Sequence, residues 1–202
     1  MNIKKTVMAV AAAALGMTAV TANASALDGM YVGGGLALNK MSLKLSGDGA
    51  MANLGDDKHD AALNLFAGYG ASFGQFYLAG ELGYQTSYGK ADFGSIDGET
   101  VTGKLKNGWT ASVLPGFKLG KSTLAFARLG YAQSKGELTF AGESSGSEKF
   151  KGTIYGIGVK HAFTPNLAGV LEYQSVNLKK TFEDAKVEPS SNGVVLGIQY
   201  GF

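Results

Sequence analysis

From Met30 to Phe202 the chain alternates apolar with small or polar residues, stretch after stretch, at a period of two. Met30, Val32, Leu36 and Leu38 fall on one side of a first strand. In the second, Ala61, Leu63, Leu65, Ala67, Tyr69, Ala71 and Phe73 are apolar, with Asn64, Gly68, Gly70 and Ser72 between them. Past Gly74-Gln75 the apolar set shifts to Phe76, Leu78, Leu82 and Tyr84, a third strand across a tight turn. Trp109, Ala111, Val113, Phe117 and Leu119 mark a fourth, and Ala125, Ala127, Leu129 and Tyr131 a fifth. Tyr155, Ile157 and Val159 mark a sixth, Leu167, Leu171 and Tyr173 a seventh, and Val194, Leu196, Ile198, Tyr200 and Phe202 an eighth. The fifth fits least well, because Leu124 and Phe126 add bulk to the opposite face. Ala61 to Gly80 is free of charge over the length of a membrane helix, but its alternation and its glycines predict a hairpin.

Connection lengths alternate too. Short links fall at Gly74-Gln75, Gly120-Lys121-Ser122 and Thr164-Pro165-Asn166. Long polar stretches, expected as loops, fall near residues 46–60, 89–106, 134–151 and 177–191. Outer-membrane barrels show this arrangement, with an even strand number, short periplasmic turns and long external loops. Aromatics gather where the two rims of an apolar band belong. Phe73, Phe76, Phe117, Phe163 and Phe202 lie on the short-turn side, and Tyr84, Trp109, Tyr131 and Tyr173 on the loop side. A secreted soluble barrel would alternate as well, but its outer face would carry charge. Here the face opposite the apolar one holds Gly33, Gly35, Gly68, Gly70, Gly83, Gly116, Gly130, Gly156, Gly158, Gly197 and Gly201 with a few isolated charges. That is a poor water-facing surface, and it suits the narrow lumen of a small barrel. The fold predicted is all-β: an eight-stranded antiparallel up-and-down transmembrane β-barrel. A closed barrel has no edge strand on which to place a proline, so a local bulge is expected at Pro115.

The N-terminus reads as an export signal. Lys4 and Lys5 precede the charge-free stretch from Thr6 to Val20, and Ala24-Ser25-Ala26 offers a small-x-small cleavage pattern. The expected division is a cleaved leader over 1–26 and a barrel over 27–202, with a cut after Ala24 as the alternative. The formal net charge of +2 then belongs to the leader, because without Lys4 and Lys5 the 18 basic residues fall to 16, equal to the 16 acidic ones. A neutral exported protein gives no reason to expect nucleic acid as a partner. The 31 glycines are about twice the usual share. With no cysteine, disulfides and thiolate metal sites are excluded.

Several segments resemble the transmembrane barrel of the outer membrane protein A family. They are Leu78 to Tyr84, Ala127-Arg128-Leu129-Gly130, Gly158 to Leu167, Leu171-Glu172-Tyr173-Gln174 and Gly193 to Phe202. Their order and spacing carry the resemblance across nearly all of the exported chain. With the chain ending at Phe202, that family's separate periplasmic peptidoglycan-binding domain is not expected, nor is its cell-wall anchoring role. The likeness then moves toward small stand-alone barrels such as the OmpX/Ail and opacity-like surface proteins. Parity places five charges in the lumen: Glu81, Lys118, Arg128, Lys160 and Glu172. Arg128 is the single arginine of the chain. In the resembled family, lumen carboxylates and bases pair across the barrel and block water flow. Lys160 stands where that family usually has an acid and Val170 where it has a base, so a different pairing is expected, with Glu81 and Glu172 around Arg128. Tyr200 and Phe202 resemble the C-terminal signal read by the outer-membrane assembly machinery.

Other chemistry is thin. His59-Asp60 lies near the external rim, but a hydrolase would also need a nucleophilic serine and an orienting acid in one outward cluster, and Ser42 and Ser46 are candidates by proximity only, so no enzyme is expected. His161 is expected at the periplasmic rim as an interfacial ring. Two distant histidines make no metal site, and no cofactor is expected. Gly33-Gly34-Gly35 sits inside a strand and precedes no helix, so it is not a phosphate loop. The expected protein is a monomer in the outer membrane of a Gram-negative cell, in contact with lipid and lipopolysaccharide, and with the assembly machinery during biogenesis. Its expected role is structural or adhesion-like, in envelope integrity or in contact with a host or surface ligand through four external loops. The alternative is a small passive porin-like channel for ions or small solutes.

Overall fold

The computed structural model describes residues 26–47, 50–96, 99–140, 143–182 and 185–202. Nine strand segments follow one another: β1 (Gly29–Gly47), β2 (Ala50–Phe73), β3 (Phe76–Gln85), β4 (Gly89–Ile96), β5 (Glu99–Lys118), β6 (Thr123–Phe140), β7 (Glu143–Ala162), β8 (Leu167–Phe182) and β9 (Ala185–Gly201). Neighbours pair antiparallel, β1 pairs with β9, and β3 pairs with β5, so the sheet closes on itself. β3 and β4 run along the same side of β5 and form one stave, broken at Thr86–Tyr88. The wall is therefore the expected eight-stranded up-and-down barrel. Short turns close its lower end, where Gly74 (φ 65°) and Gly120 (φ 147°) adopt backbone angles that side chains disfavour.

The barrel's exterior is apolar. Leu36, Leu82, Ile157, Leu171, Leu196 and Ile198 point outward and are exposed, with Ile157 and Leu196 at 67%. Such a band would be unstable in water and is stable only against lipid. Its rims carry the aromatics. Phe76 stacks edge-on against Phe117 at 5.7 Å and Tyr200 against Phe202 at 5.2 Å below, while Trp109 meets Tyr131 at 5.7 Å above.

Three expectations need correction. The long polar stretches are not irregular loops, because pairing continues to Gly47↔Ala50, Ile96↔Glu99, Phe140↔Glu143 and Phe182↔Ala185. β2 alone has 24 residues, whereas about 9–11 tilted residues cross a bilayer. The surplus stands above the apolar band as ribbons. Past the band no face meets lipid, so the apolar alternation that reveals a strand inside the membrane is lost. Nor is there a bulge at Pro115. It pairs in register with Leu78, and toward β6 the ladder passes from Val113↔Leu129 to Gly116↔Phe126 with no shift. Two rungs are omitted instead of a residue being added. Finally, the inner face, expected to hold mainly glycines and a few isolated charges, also carries large apolar side chains. Tyr31, Phe66, Tyr77, Leu114, Leu124, Phe126 and Val170 pack inside the lower barrel, with Ala26 and Leu27 beneath them. The parity break at Leu124 and Phe126 is thus part of the lumen filling.

Candidate functional site

The lumen is filled in three levels. Its floor is the apolar cluster just described. Asp28 accepts from Lys118 Nζ at 2.7 Å, fastening the segment before β1 to β5. Lys118 therefore sits at the lower mouth, apart from the other predicted charges. Ala26, one of the two cleavage candidates, is buried here and its carbonyl accepts from Gln199 Nε2 at 2.6 Å. Ala24 and the rest of the leader lie outside the described residues.

The middle level holds four of the five predicted charges. Arg128 on β6 reaches two carboxylates with one guanidinium fork. Its Nε and Nη2 donate to the two oxygens of Glu172 on β8 at 2.5 and 2.9 Å. Nη2 also lies 2.7 Å from Glu81 Oε1 on β3. Lys160 on β7 lies 3.9 Å from Glu81 Oε2 and donates to Gln199 Oε1 at 2.7 Å. Its ammonium also sits 4.2 Å from the centre of the Tyr31 ring, a cation–π contact, and the Tyr31 hydroxyl donates to Glu81 Oε2 at 3.0 Å. Two positive and two negative groups, all buried, leave this level formally neutral. Buried charges persist only when paired and hydrogen-bonded in this way.

Glycines make the reach across strands feasible. Gly156 on β7 is opposite Arg128, and Gly158 is opposite both Phe126 and Glu172. A Cβ at Gly156 would stand 2.9 Å from Glu172 Oε1, and one at Gly158 would stand 2.6 Å from the Phe126 ring. Similarly, Gly68 lies opposite Glu81 and Tyr31 in turn, and its Cβ would meet the Tyr31 hydroxyl at 2.6 Å. Each missing side chain is the space a neighbouring strand's long side chain occupies.

Above lies a polar collar and an apolar roof. Gln174 Nε2 donates to Gln85 Oε1 at 3.0 Å, and Asn64 Nδ2 to the same oxygen at 3.2 Å. The carbonyls at the break between β3 and β4 turn inward. Ser87 accepts from Gln85 Nε2 at 2.6 Å and Asn39 Nδ2 at 3.3 Å, and Tyr88 from Ser191 Oγ at 2.5 Å. The Tyr88 ring packs with Met41, Leu105, Phe150, Ile154, Val176 and Leu178. Burial pushes its hydroxyl above the ordinary tyrosine range. Sequence reasoning missed this strap, because its signal is a single tyrosine in a stretch without periodicity. The void left among Tyr88, Gln85, Gln174, Arg128, Glu81 and Glu172 is about 10 Å³, roughly the space of one water.

The remaining candidates lie elsewhere. His161 is exposed at the lower rim, 2.9 Å from Thr123 Oγ1 and edge-on to Phe163 at 5.4 Å. Ser42 is on β1, where neighbouring Lys40 is opposite His59, and the side chains of Ser46 and His59 lie outside the described residues. Tyr200 faces outward, and the Phe202 amide donates to the Met30 carbonyl at 3.0 Å where β9 meets β1.

The sequence profile of the outer membrane protein beta-barrel domain matches residues 9–202. Among solved structures, OprG from Pseudomonas aeruginosa superposes with a TM-score of 0.53 at 12% identity, covering 90% of this chain and 99% of its own. Neisserial surface protein A superposes at 0.51 with 17% identity, covering 87% and 98%. Ail, the attachment invasion locus protein of Yersinia pestis, matches at 0.42 with 17% identity, covering 85% and 99%. At these identities the likeness is one of fold. No curated protein sequence matches the chain.

Proposed function

Because the chain belongs to the family of outer membrane protein beta-barrel domains, and so to the Gram-negative outer membrane, we propose that it is a closed, non-conducting surface barrel. Its work is done by the four hairpins that stand outside the cell, in envelope integrity or in adhesion-like contact with a surface. The barrel itself is their rigid mount. It acts as a single barrel, delivered by the assembly machinery after removal of the leader, and we assign it no catalytic step.

The observation that carries this reading is the filled cross-section at the level of Arg128. An eight-stranded wall leaves an interior just wide enough for side chains, and here Arg128, Glu81, Glu172 and Lys160 occupy it. An ion entering from either mouth would meet an apolar cluster before reaching them. Single-channel recording on refolded protein in planar bilayers tests the proposal. Little steady conductance is expected from the wild type, and more from Glu81→Ala or Arg128→Ala. Large stable wild-type currents, unmoved by either substitution, would instead favour the passive channel.

A further inference from the structure

Above the rim tyrosines, the outward faces of β6, β7 and β8 pass Gln133, Thr153 and Asn177 and then present lysines. Register places Lys135 directly opposite Lys149, and Lys151 directly opposite Lys179. Directly opposed residues of an antiparallel pair hold their Cβ atoms about 4.5–5.5 Å apart, and like charges there are destabilising. Lys149 and Lys151 are successive outward positions on one strand, since Phe150 between them points into the lumen. The four ammonium groups therefore form one arc across three strands. Lys149, Lys151 and Lys179 are exposed and Lys135 is partly so. Glu188 approaches Lys179 at 3.5 Å, and among the described residues no carboxylate pairs with Lys135, Lys149 or Lys151. The Lys135–Lys149 opposition is unfavourable unless an anion lies over it, and Glu188 relieves only one lysine of the second pair.

The height of the arc says which anion. On β6, Lys135 is four residues beyond the outward Tyr131, and on β7 Lys151 is four residues from the outward Tyr155. At about 3.3 Å per residue and a tilt of roughly 40°, Lys135 and Lys151 lie about 10 Å above those rings, and Lys149 and Lys179, six residues out from Tyr155 and Tyr173, about 15 Å. Interfacial tyrosines sit at the level of lipid headgroups, and lysine stems are long enough to bend back toward it. Directly below the arc, Leu129, Ile157 and Leu171 offer an exposed apolar wall to acyl chains.

We propose that Lys135, Lys149, Lys151 and Lys179 bind the phosphate groups of an outer-leaflet glycolipid, lipid A in its chemistry, with its acyl chains against the wall beneath. Three strands at about 4.8 Å spacing give a cradle roughly 10 Å wide, the dimension of a disaccharide carrying a phosphate at each end. The proposal does not depend on whether the lumen conducts.

The test uses the folded full barrel in uncharged detergent micelles, titrated with bisphosphorylated lipid A, with its dephosphorylated counterpart, and with inositol hexakisphosphate as a soluble phosphate. Binding is read by native mass spectrometry and by the melting temperature. Replacing all four lysines by glutamine should weaken lipid A binding roughly ten-fold or more. Replacing them by arginine should preserve it, and Lys121→Gln at the opposite rim should leave it unchanged. The glutamine variant should melt higher than wild type in lipid-free micelles, because the repulsion is gone, yet gain less from lipid A. That reversal distinguishes a binding site from a merely structural role. Equal lipid A affinity in wild type and glutamine variant would overturn the proposal. So would hexakisphosphate binding these lysines as tightly as lipid A does, which would make the arc a site for free anions.

Discussion

Arg128 ties together carboxylates on β3 and β8 that no backbone pairing joins, and its loss would strand both. Leaving a buried charge without its partner costs roughly 3–5 kcal/mol in a dry site. Arg128→Ala is expected to lose stability in that range, read from urea unfolding of the heat-modifiable band. Combining it with Glu81→Ala should cost less than the two single losses added, because fewer charges are left unpaired. The glycines give a second, cleaner contrast. Gly156→Ala would drive a methyl against Tyr173 O at 2.7 Å and Glu172 Oε1 at 2.9 Å, whereas Gly80 has open space around it. Overpacking of this kind typically costs about 1–3 kcal/mol, so Gly156→Ala should lower the unfolding midpoint and Gly80→Ala should barely move it. The charges themselves were legible in the sequence, because parity alone assigns Glu81, Arg128, Lys160 and Glu172 to the inside. Their partners were less so. Lys160 finds Gln199 and Tyr31 across the closure of β9 on β1, and Lys118 finds Asp28, which lies before the first periodic segment. Those contacts depend on the stagger of the closed wall, which residue spacing does not record.

At the scale of elements, the strands were readable for as long as one face met lipid and the other the lumen. That contrast ends above Trp109, Tyr131 and Tyr173, and with it the signal, although β-pairing continues to the ribbon ends. The break between β3 and β4 is the other silent feature, since an inward turn of Ser87 and Tyr88 carbonyls onto lumen side chains leaves no trace in alternation. The closing seam is readable from both directions. Phe202 stacks on Tyr200 at 5.2 Å and its amide reaches β1 at Met30, while the Gly201 amide donates to Asn166 O at 2.8 Å. Phe202→Ala should therefore reduce folded, membrane-inserted protein, measured as the heat-modifiable fraction in outer-membrane preparations at equal synthesis. If the ring serves only the rim, Phe202→Leu will fold as well as wild type. If it is also part of the signal that the assembly machinery reads, Phe202→Leu will lose most of what Phe202→Ala loses.

For the whole molecule, the asymmetry between its two ends sets how it must lie in the membrane. Below the apolar band, turns such as Gly74-Gln75 and Gly120-Lys121-Ser122 close the staves within a few residues. Above it, β1, β2, β5 and β7 run to 19, 24, 20 and 20 residues, well past the roughly 9–11 that a tilted crossing requires. The lysine arc is on this upper side, and in outer-membrane barrels the long connections are the external ones. The chain has no cysteine, so a single introduced thiol reports its own position without background. Glu188 lies on the upper part of β9 with its side chain 40% exposed, and Lys121 is exposed in a lower turn. Glu188→Cys should react with a membrane-impermeant maleimide on intact cells. Lys121→Cys should react only once the outer membrane has been permeabilised. The opposite pattern would turn the barrel over, placing the ribbons in the periplasm and removing both the surface role and the outer-leaflet lipid site together.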